Sequence, residues 1–378
     1  MRVASIVGAR PQFIKAAVVS RALQESGAEE LLIHTGQHYD ANMSDVFFSE
    51  LEIPSPAHHL GIGSASHGIQ TGRMLEAIET VLIQIRPDWV LVYGDTNSTL
   101  AGALAAAKLH FPVAHVEAGL RSFNRRMPEE INRVLTDHVA ELLFAPTDTA
   151  VRMLRREGIV DEKIYQVGDV MYDAALYYSK KADEKSQVLR QLELNDHDYI
   201  LATIHRAENT GDPARLRNLF AALQHIAKEM PVILPVHPRT QAALRDFGMV
   251  EGASRGLRMI EPVGYLDMVM LEKHARLIVT DSGGVQKEAF FYRVPCVTVR
   301  EETEWVELIE AGWNRLAPPT SADQVASAIR QALHSTPPLA ANLYGDGHSA
   351  TSIAEILWSR IGNNSYTSRL PNACGSLS

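Results

Sequence analysis

The chain of 378 residues is 46% hydrophobic and 21% charged, ordinary globular proportions that exclude collagen-like, low-complexity and disordered readings, and the length suggests two domains. Lys and Arg total 36 against 45 Asp and Glu, a formal charge of −9, and no Lys/Arg run supplies a basic stripe, so nucleic acid is not expected as a partner. Cys296 and Cys374 are too few for a disulfide framework and fit a reducing compartment.

The first apolar stretch, Val3 to Val7, is interrupted by Ser5 and followed at once by Gly8-Ala9-Arg10-Pro11. A secretory core needs about 7–15 apolar residues and a membrane helix about 20. The expectation is a cytoplasmic protein without a membrane partner. Strand-like apolar runs follow at 3–7, 31–35, 89–93, 112–116 and 142–146, and a second series at 199–204, 232–236, 276–280 and 296–299. Helix-period segments lie between them at 12–26, 65–86, 97–109, 213–229 and 284–292. Continuous Val/Ile/Leu runs mark parallel strands covered on both faces, and their alternation with helices implies βαβ units. The predicted fold class is α/β, two Rossmann-like doubly wound domains at 1–168 and 169–348. The polar helical stretch 172–193 follows the junction, a helix at 349–361 can pack back on the first domain, and 362–378 reads as a tail.

Open α/β sheets bind ligands at the carboxyl ends of their strands. There the run IVTDSGGVQKEAFFY leads from a strand through Ser282, Gly283 and Gly284 into a helix expected to start at Gly284 or Val285. Their amides and the positive helix end form a cradle suited to a diphosphate, and Glu288, one turn on, is placed for ribose hydroxyls. The same run also reads as an ordinary capped turn with Asp281 or Ser282 as N-cap. At the first strand end, Pro11 fits helix position N1, so that Arg10 points into the crevice and Lys15 lies one turn further along. The pattern is not G-x-G-x-x-G, so a nicotinamide or flavin dinucleotide is not implied. Asp95 and Glu117 directly follow buried strands, where a charge is costly without a task. Glu129 and Glu130 open a helix behind Pro128, Glu130 as a partner of the helix dipole. His205-Arg206 and His237-Pro238-Arg239 end consecutive strands and suit an anionic ligand. No metal-ligand spacing, nucleophile elbow or Walker loop occurs.

Together these motifs resemble the non-hydrolysing UDP-N-acetylglucosamine 2-epimerase family. The match runs in order through GARPQFIK, TGQHYD, YGDTNST, HVEAGLRS, PEEINR, HRAENT, PVHPRT, DSGGVQKEA and REETEW, across residues 1–360. The resemblance implies a glycosyltransferase-B type fold with its active site in the interdomain cleft, a homodimer, a UDP-sugar substrate and no metal or cofactor. It implies inversion at C2 by anti elimination of UDP and re-addition to a 2-acetamidoglucal. Carried over, Asp95, Glu117 and Glu129 become acid/base carboxylates, with His205 beside the diphosphate and sugar. Arg10, Lys15, Arg206, His237, Ser282, Gly283 and Gly284 bind substrate, Glu288 binds ribose, and Val263 and Met268 line the uridine pocket. Precursor supply for polysaccharide or lipopolysaccharide is the implied pathway.

Two departures stand out. Trp305 occupies a place where many members carry Arg, so that a phosphate contact is lost or replaced by stacking. Asp40 stands where members activated by UDP-N-acetylglucosamine carry a second Gln, which argues against such activation. The wording of GARPQFIKAAVVS, QHYDANMSDVFF and TEWVELIEAG is most similar to the subgroup acting on UDP-2,3-diacetamido-2,3-dideoxyglucuronate. Both sugars stay open, as do a hydrolysing epimerase, a glycosyltransferase and a non-catalytic nucleotide-sugar sensor.

Overall fold

The computed structural model describes residues 1–37, 51–335 and 342–361, and the backbone alone of Arg10. Asp40, the tail 362–378 and the Arg10 side chain lie outside what is described. The chain forms two compact units, Met1–Ala174 with Tyr344–Ser378, and Ala175–Leu343.

The first unit carries strands β1 (Arg2–Val7), β2 (Glu29–His34), β3 (His58–His59), β4 (Trp89–Tyr93), β5 (Val113–Val116), β6 (Leu142–Ala145) and β7 (Ile164–Gln166). Its helices are α1 (Arg10–Glu25), α2 (His67–Ile85), α3 (Asn97–Lys108), α4 (Pro128–Val139), α5 (Asp148–Arg156) and α6 (Val170–Lys185), which runs into the second unit's range. The sheet is parallel in the order β3-β2-β1-β4-β5-β6-β7. β4, β5 and β6 are buried along their whole length, as continuous apolar runs require. The Ala-rich α3 lies close on β1 and β4. A Cβ at Gly102 would come within 2.7 Å of Ile6 Cδ1.

The second unit carries helix α7 (Val188–Gln191) and strands β8 (Ile200–Thr203), β9 (Val232–Pro235), β10 (Arg258–Ile260), β11 (Leu277–Thr280), β12 (Cys296–Thr298) and β13 (Asn314–Leu316). Helices α8 (Ala207–Thr210), α9 (Pro213–Ile226), α10 (Pro238–Asp246), α11 (Val250–Ala253), α12 (Tyr265–Lys273), α13 (Gly283–Phe291), α14 (Val306–Glu310) and α15 (Ala322–His334) alternate with them. This sheet is also parallel, in the order β10-β9-β8-β11-β12-β13. Apolar residues from alternate strand positions feed two buried clusters, with Ile200, Ala202 and Val279 in one and Tyr199, Leu201 and Ile278 in the other.

Four strands carry no apolar run in the sequence: β3, β7, β10 and β13. All four are sheet edges of two or three residues. An edge strand is half solvated, so its composition lacks the continuous hydrophobic signature of a central one.

Residues 169–174 and 344–348, assigned by sequence to the second domain, group with the first unit. The reason is local bonding. The Asp169 amide donates to the Tyr344 carbonyl at 3.0 Å, and Asp173 Oδ2 accepts the Ala350 amide at 2.7 Å. Helix α16 (Ser349–Arg360) then packs along α1, with Trp358 Nε1 donating to Ser26 Oγ at 3.0 Å. Among the described residues no helix is long and apolar enough to cross a membrane.

Candidate functional site

In each sheet the strand order reverses at one point, between β1 and β4 and between β8 and β11. At such a switch point the connecting helices leave on opposite faces and open a crevice at the strand carboxyl ends. The first crevice is therefore bordered by Gly8–Arg10 and Gly94–Asp95, the second by Ile204–Arg206 and Asp281–Gly284.

At the first, Arg10 is the opening residue of α1 and Pro11 follows it, one position later than the sequence suggested. Gln12 staples the two strand ends. Its Oε1 accepts the Gly8 and Ala9 amides at 2.8 and 3.0 Å, and its Nε2 donates to the Tyr93 carbonyl at 2.8 Å and Thr99 Oγ1 at 3.0 Å. Sequence reasoning passed over this residue, although a Gln three positions past an N-cap is a recognisable signal.

Lys15 Nζ is paired with Glu117 Oε2, and both side chains are buried. Glu117 has φ +71°, a left-handed conformation uncommon for a residue with a side chain and concentrated at functional sites. Gly94 is also left-handed, and a Cβ there would sit 3.3 Å from both Glu117 Oε2 and Lys15 Nζ. The next residue, Asp95, is held by Arg133, whose Nε and Nη2 both reach Asp95 Oδ2, at 2.9 and 2.6 Å. Arg133 Nη1 also donates to Glu130 Oε2 at 3.1 Å. Glu130 is more than a dipole partner, because it accepts the Ser122 and Phe123 amides, each at 2.9 Å, and so closes the loop ahead of α4. Glu129 is exposed on the first turn of α4, and no described hydrogen bond or ion pair brings it to Asp95 or Glu117.

Behind these carboxylates lies a buried relay. His115 bonds Asp137 through Nδ1 and the Gly94 carbonyl through Nε2, each at 2.7 Å. Asp137 Oδ2 accepts the Gly119 amide at 3.1 Å and meets Arg121 Nη2 at 2.7 Å. Burial pushes the Asp137 carboxyl up, but the His115 hydrogen bond and the Arg121 charge outweigh it and hold it below the usual range. Glu130 is likewise lowered on balance: burial raises it, and the Ser122 and Phe123 amides and Arg133 overcome that. A carboxyl lower in the folded than in the unfolded chain contributes stability above its unfolded pKa, and this is lost as pH falls through its folded value. The contribution of these two carboxylates should be constant above about pH 5 and fall away below about pH 4, read as the difference between thermal melts of the parent and of Asp137→Asn at constant salt. Asp137→Asn should flatten that acid limb, and an unchanged limb would remove Asp137 as its source.

At the second crevice Asp281, fully buried, organises the turn. It accepts the His205 and Arg206 amides and Asn209 Nδ2, all at 3.0 Å. The rings of His205 and His237 stack with centroids 5.1 Å apart, and Arg239 donates to the His205 carbonyl at 3.3 Å. Helix α13 starts at Gly283 with Ser282 as N-cap, without a side-chain capping bond. The Ser282 amide already donates to Thr280 Oγ1 at 2.9 Å. The amide cradle thus reduces to Gly283 and Gly284, whose position in the first helical turn leaves them without an intrahelical acceptor. A Cβ at Gly283 would lie 2.6 Å from Glu304 Oε1 and 3.6 Å from Arg206 Nη2, so a side chain there would have to displace the Glu304 carboxylate. Glu304 is held by the buried Arg300, which donates to it and to Glu208, each at 3.0 Å. Glu288 is buried on α13, and Val263 and Met268 are half-buried against the second unit's apolar cluster. Trp305 is 4% exposed with Lys287 Nζ 4.1 Å from its ring centroid, so its face is taken by an internal cation. Asp281, Arg300 and Glu304 were not separable in sequence from caps and surface charges.

A family model described as UDP-N-acetylglucosamine 2-epimerase matches residues 21–358. The chain belongs to this family. It is 50% identical over 361 residues to a UDP-2,3-diacetamido-2,3-dideoxy-D-glucuronate 2-epimerase of Pseudomonas aeruginosa, covering 94% of this chain and 99% of the relative. It is 46% identical over 363 residues to a UDP-N-acetylglucosamine 2-epimerase of Methanocaldococcus jannaschii, at 94% and 99% coverage. A crystal structure of the Methanocaldococcus jannaschii UDP-GlcNAc 2-epimerase in complex with UDP-GlcNAc and UDP superposes with a TM-score of 0.87 at 45% identity, covering 95% of this chain and all of that one. Membership in the epimerase family makes the chain an isomerase acting on a UDP-sugar, with the two parallel-sheet α/β units of the glycosyltransferase-B type.

Proposed function

We propose that the chain inverts C2 of a UDP-2-acetamido sugar, of the UDP-N-acetylglucosamine to UDP-N-acetylmannosamine type, by anti elimination of UDP and its re-addition to a 2-acetamidoglucal. The carrying observation is Glu117, a buried carboxylate in a left-handed conformation beside Lys15, at the end of β5, one strand from the switch point of the first sheet. Removing a C2 proton needs a positioned base, and returning one to the opposite face needs an acid. Glu117 and Asp95 are the two carboxylates assigned to these steps, Glu117 beside Lys15 and Asp95 beside Arg133. Glu129 joins them as the third carboxylate, its exposed side chain free to meet substrate. The departing diphosphate accumulates charge on its oxygens. His205, Arg206, His237 and the Gly283 and Gly284 amides supply the compensating donors. Glu288 holds ribose, and Val263 and Met268 flank uracil.

The 50% identity to the Pseudomonas relative favours a second substrate, UDP-2,3-diacetamido-2,3-dideoxyglucuronate, for the same reaction. A proton-NMR time course in deuterium oxide, offering each sugar separately, decides between them. The expected result is epimerisation of one sugar with deuterium entering C2 of recovered substrate and product. Full retention of protium there would refute elimination. The reading includes a cytoplasmic homodimer supplying a polysaccharide or lipopolysaccharide precursor.

A further inference from the structure

His115 lies in β5, two residues before Glu117, and is fully buried. Its two ring nitrogens face two acceptors, the Asp137 carboxylate and the Gly94 carbonyl. Both ends of the ring are therefore tied to an acceptor, one a side chain and the other backbone. Such a polar ring is expensive to bury, and its partners show what it does there. One end of the relay stops at the backbone of Gly94, immediately before Asp95. The other, through Asp137 Oδ2, stops at the amide of Gly119, two residues after Glu117. Gly94, Glu117 and Gly119 all have left-handed φ, at +63°, +71° and +83°. For glycine this is cheap, but for Glu117 it is strained and persists only if the surroundings hold it. The Glu117 and Ala118 amides share one acceptor, the Phe144 carbonyl, each at 3.1 Å. The Gly94 amide donates to the Val116 carbonyl at 3.0 Å, and the relay adds a brace on both sides of the turn. Arg121 anchors it by a two-point contact with Glu157, both bonds at 2.7 Å.

We propose that His115, locked by Asp137, is a positioning residue that fixes Gly94 and Gly119 and thereby holds the carboxylates of Asp95 and Glu117 in register for proton transfer at C2. The inference rests on the epimerase reading. It explains why a buried histidine sits beneath a site that already has Lys15 and Arg133: its task is the backbone, not the substrate.

The test uses the full chain with whichever UDP-sugar the parent turns over. His115→Leu removes both ring nitrogens and should lower kcat about 10²-fold, the scale of a misplacement near 1 Å. KM and UDP affinity should stay within about twofold. His115→Gln keeps one donating nitrogen and should recover part of the loss. Combined with Glu117→Gln, His115→Leu should add almost nothing, because both act on the same step. A kcat within about threefold of the parent in His115→Leu, or a loss that multiplies fully with that of Glu117→Gln, overturns the inference. If His115→Leu fails to fold by circular dichroism, Asp137→Asn is read by the same criteria, since it leaves the imidazole and the bulk of the side chain in place. A parent that exchanges C2 hydrogen while these variants match it overturns the positioning role alone. A parent that exchanges with neither sugar overturns the epimerase reading and this inference with it.

Discussion

Glu117→Gln should lower kcat about 10³-fold and leave UDP affinity within about twofold. The substitution keeps the side chain's shape and removes its ability to hold or release a proton at neutral pH. Loss of general acid–base function costs 10²–10⁴ in rate, and Glu117 belongs in the upper part of that range. It is nine-tenths buried, strained and gripped by Lys15, so no water or neighbouring group can stand in for it. UDP binding is assigned to residues of the second unit and should be insensitive. The variant also leaves Lys15 as a buried charge without its counter-ion, which costs about 3 kcal/mol of stability. Rates are therefore compared at a temperature where circular dichroism shows both proteins folded. Asp95→Asn should show a similar kinetic pattern. Glu129→Gln distinguishes a third proton-transfer carboxylate from a solvated helix-start residue, since only the former lowers kcat by 10² or more. If Glu117→Gln retains rate within about threefold, the acid–base assignment fails.

Gly119→Ala should destabilise the chain by about 3–5 kcal/mol and lower its melting temperature by about 10 °C. Two independent effects add. The backbone is left-handed at φ +83°, which costs an L-residue about 1–2 kcal/mol. The new methyl would also stand 2.5 Å from the Ala150 carbonyl oxygen and 2.9 Å from Leu154 Cγ. A backbone oxygen in α5 cannot step aside as a flexible side chain does, so strand end and helix must move apart. Gly27→Ala is the control, because φ is +77° there and nothing lies within 4 Å of the added atom. It should cost only the conformational part, about 1–2 kcal/mol. Equal melting temperatures for the two variants would mean that the clash is relieved without cost. The Gly119 variant should also lose turnover beyond its instability, since the displaced amide is the one Asp137 holds.

Much of the fold was legible because central strands of a parallel sheet are apolar on both faces, and each of the nine apolar runs became a strand. The α/β class and the two series of βαβ units follow from that physics. The candidate residues stood out as chemical types at strand ends, a carboxylate such as Glu117 or a pair such as His205-Arg206, where burial makes a charge costly. The resemblance to a known family added the roles proposed for them.

The sequence by itself could not say which strand ends meet, because strand order is a property of crossover connections and not of composition. Only the tertiary structure brings β1 beside β4 and β8 beside β11, and so puts Lys15 on Glu117, 102 residues away, and Asp281 under His205, 76 residues away. The same holds for the edge strands, too solvated to announce themselves, and for residues 344–348, drawn to the first unit by backbone bonds that no side-chain pattern encodes. His115 shows the limit most sharply. In sequence it is one polar residue in a buried strand, and its work on Gly94 and Gly119 exists only once β4, β5 and α4 have packed.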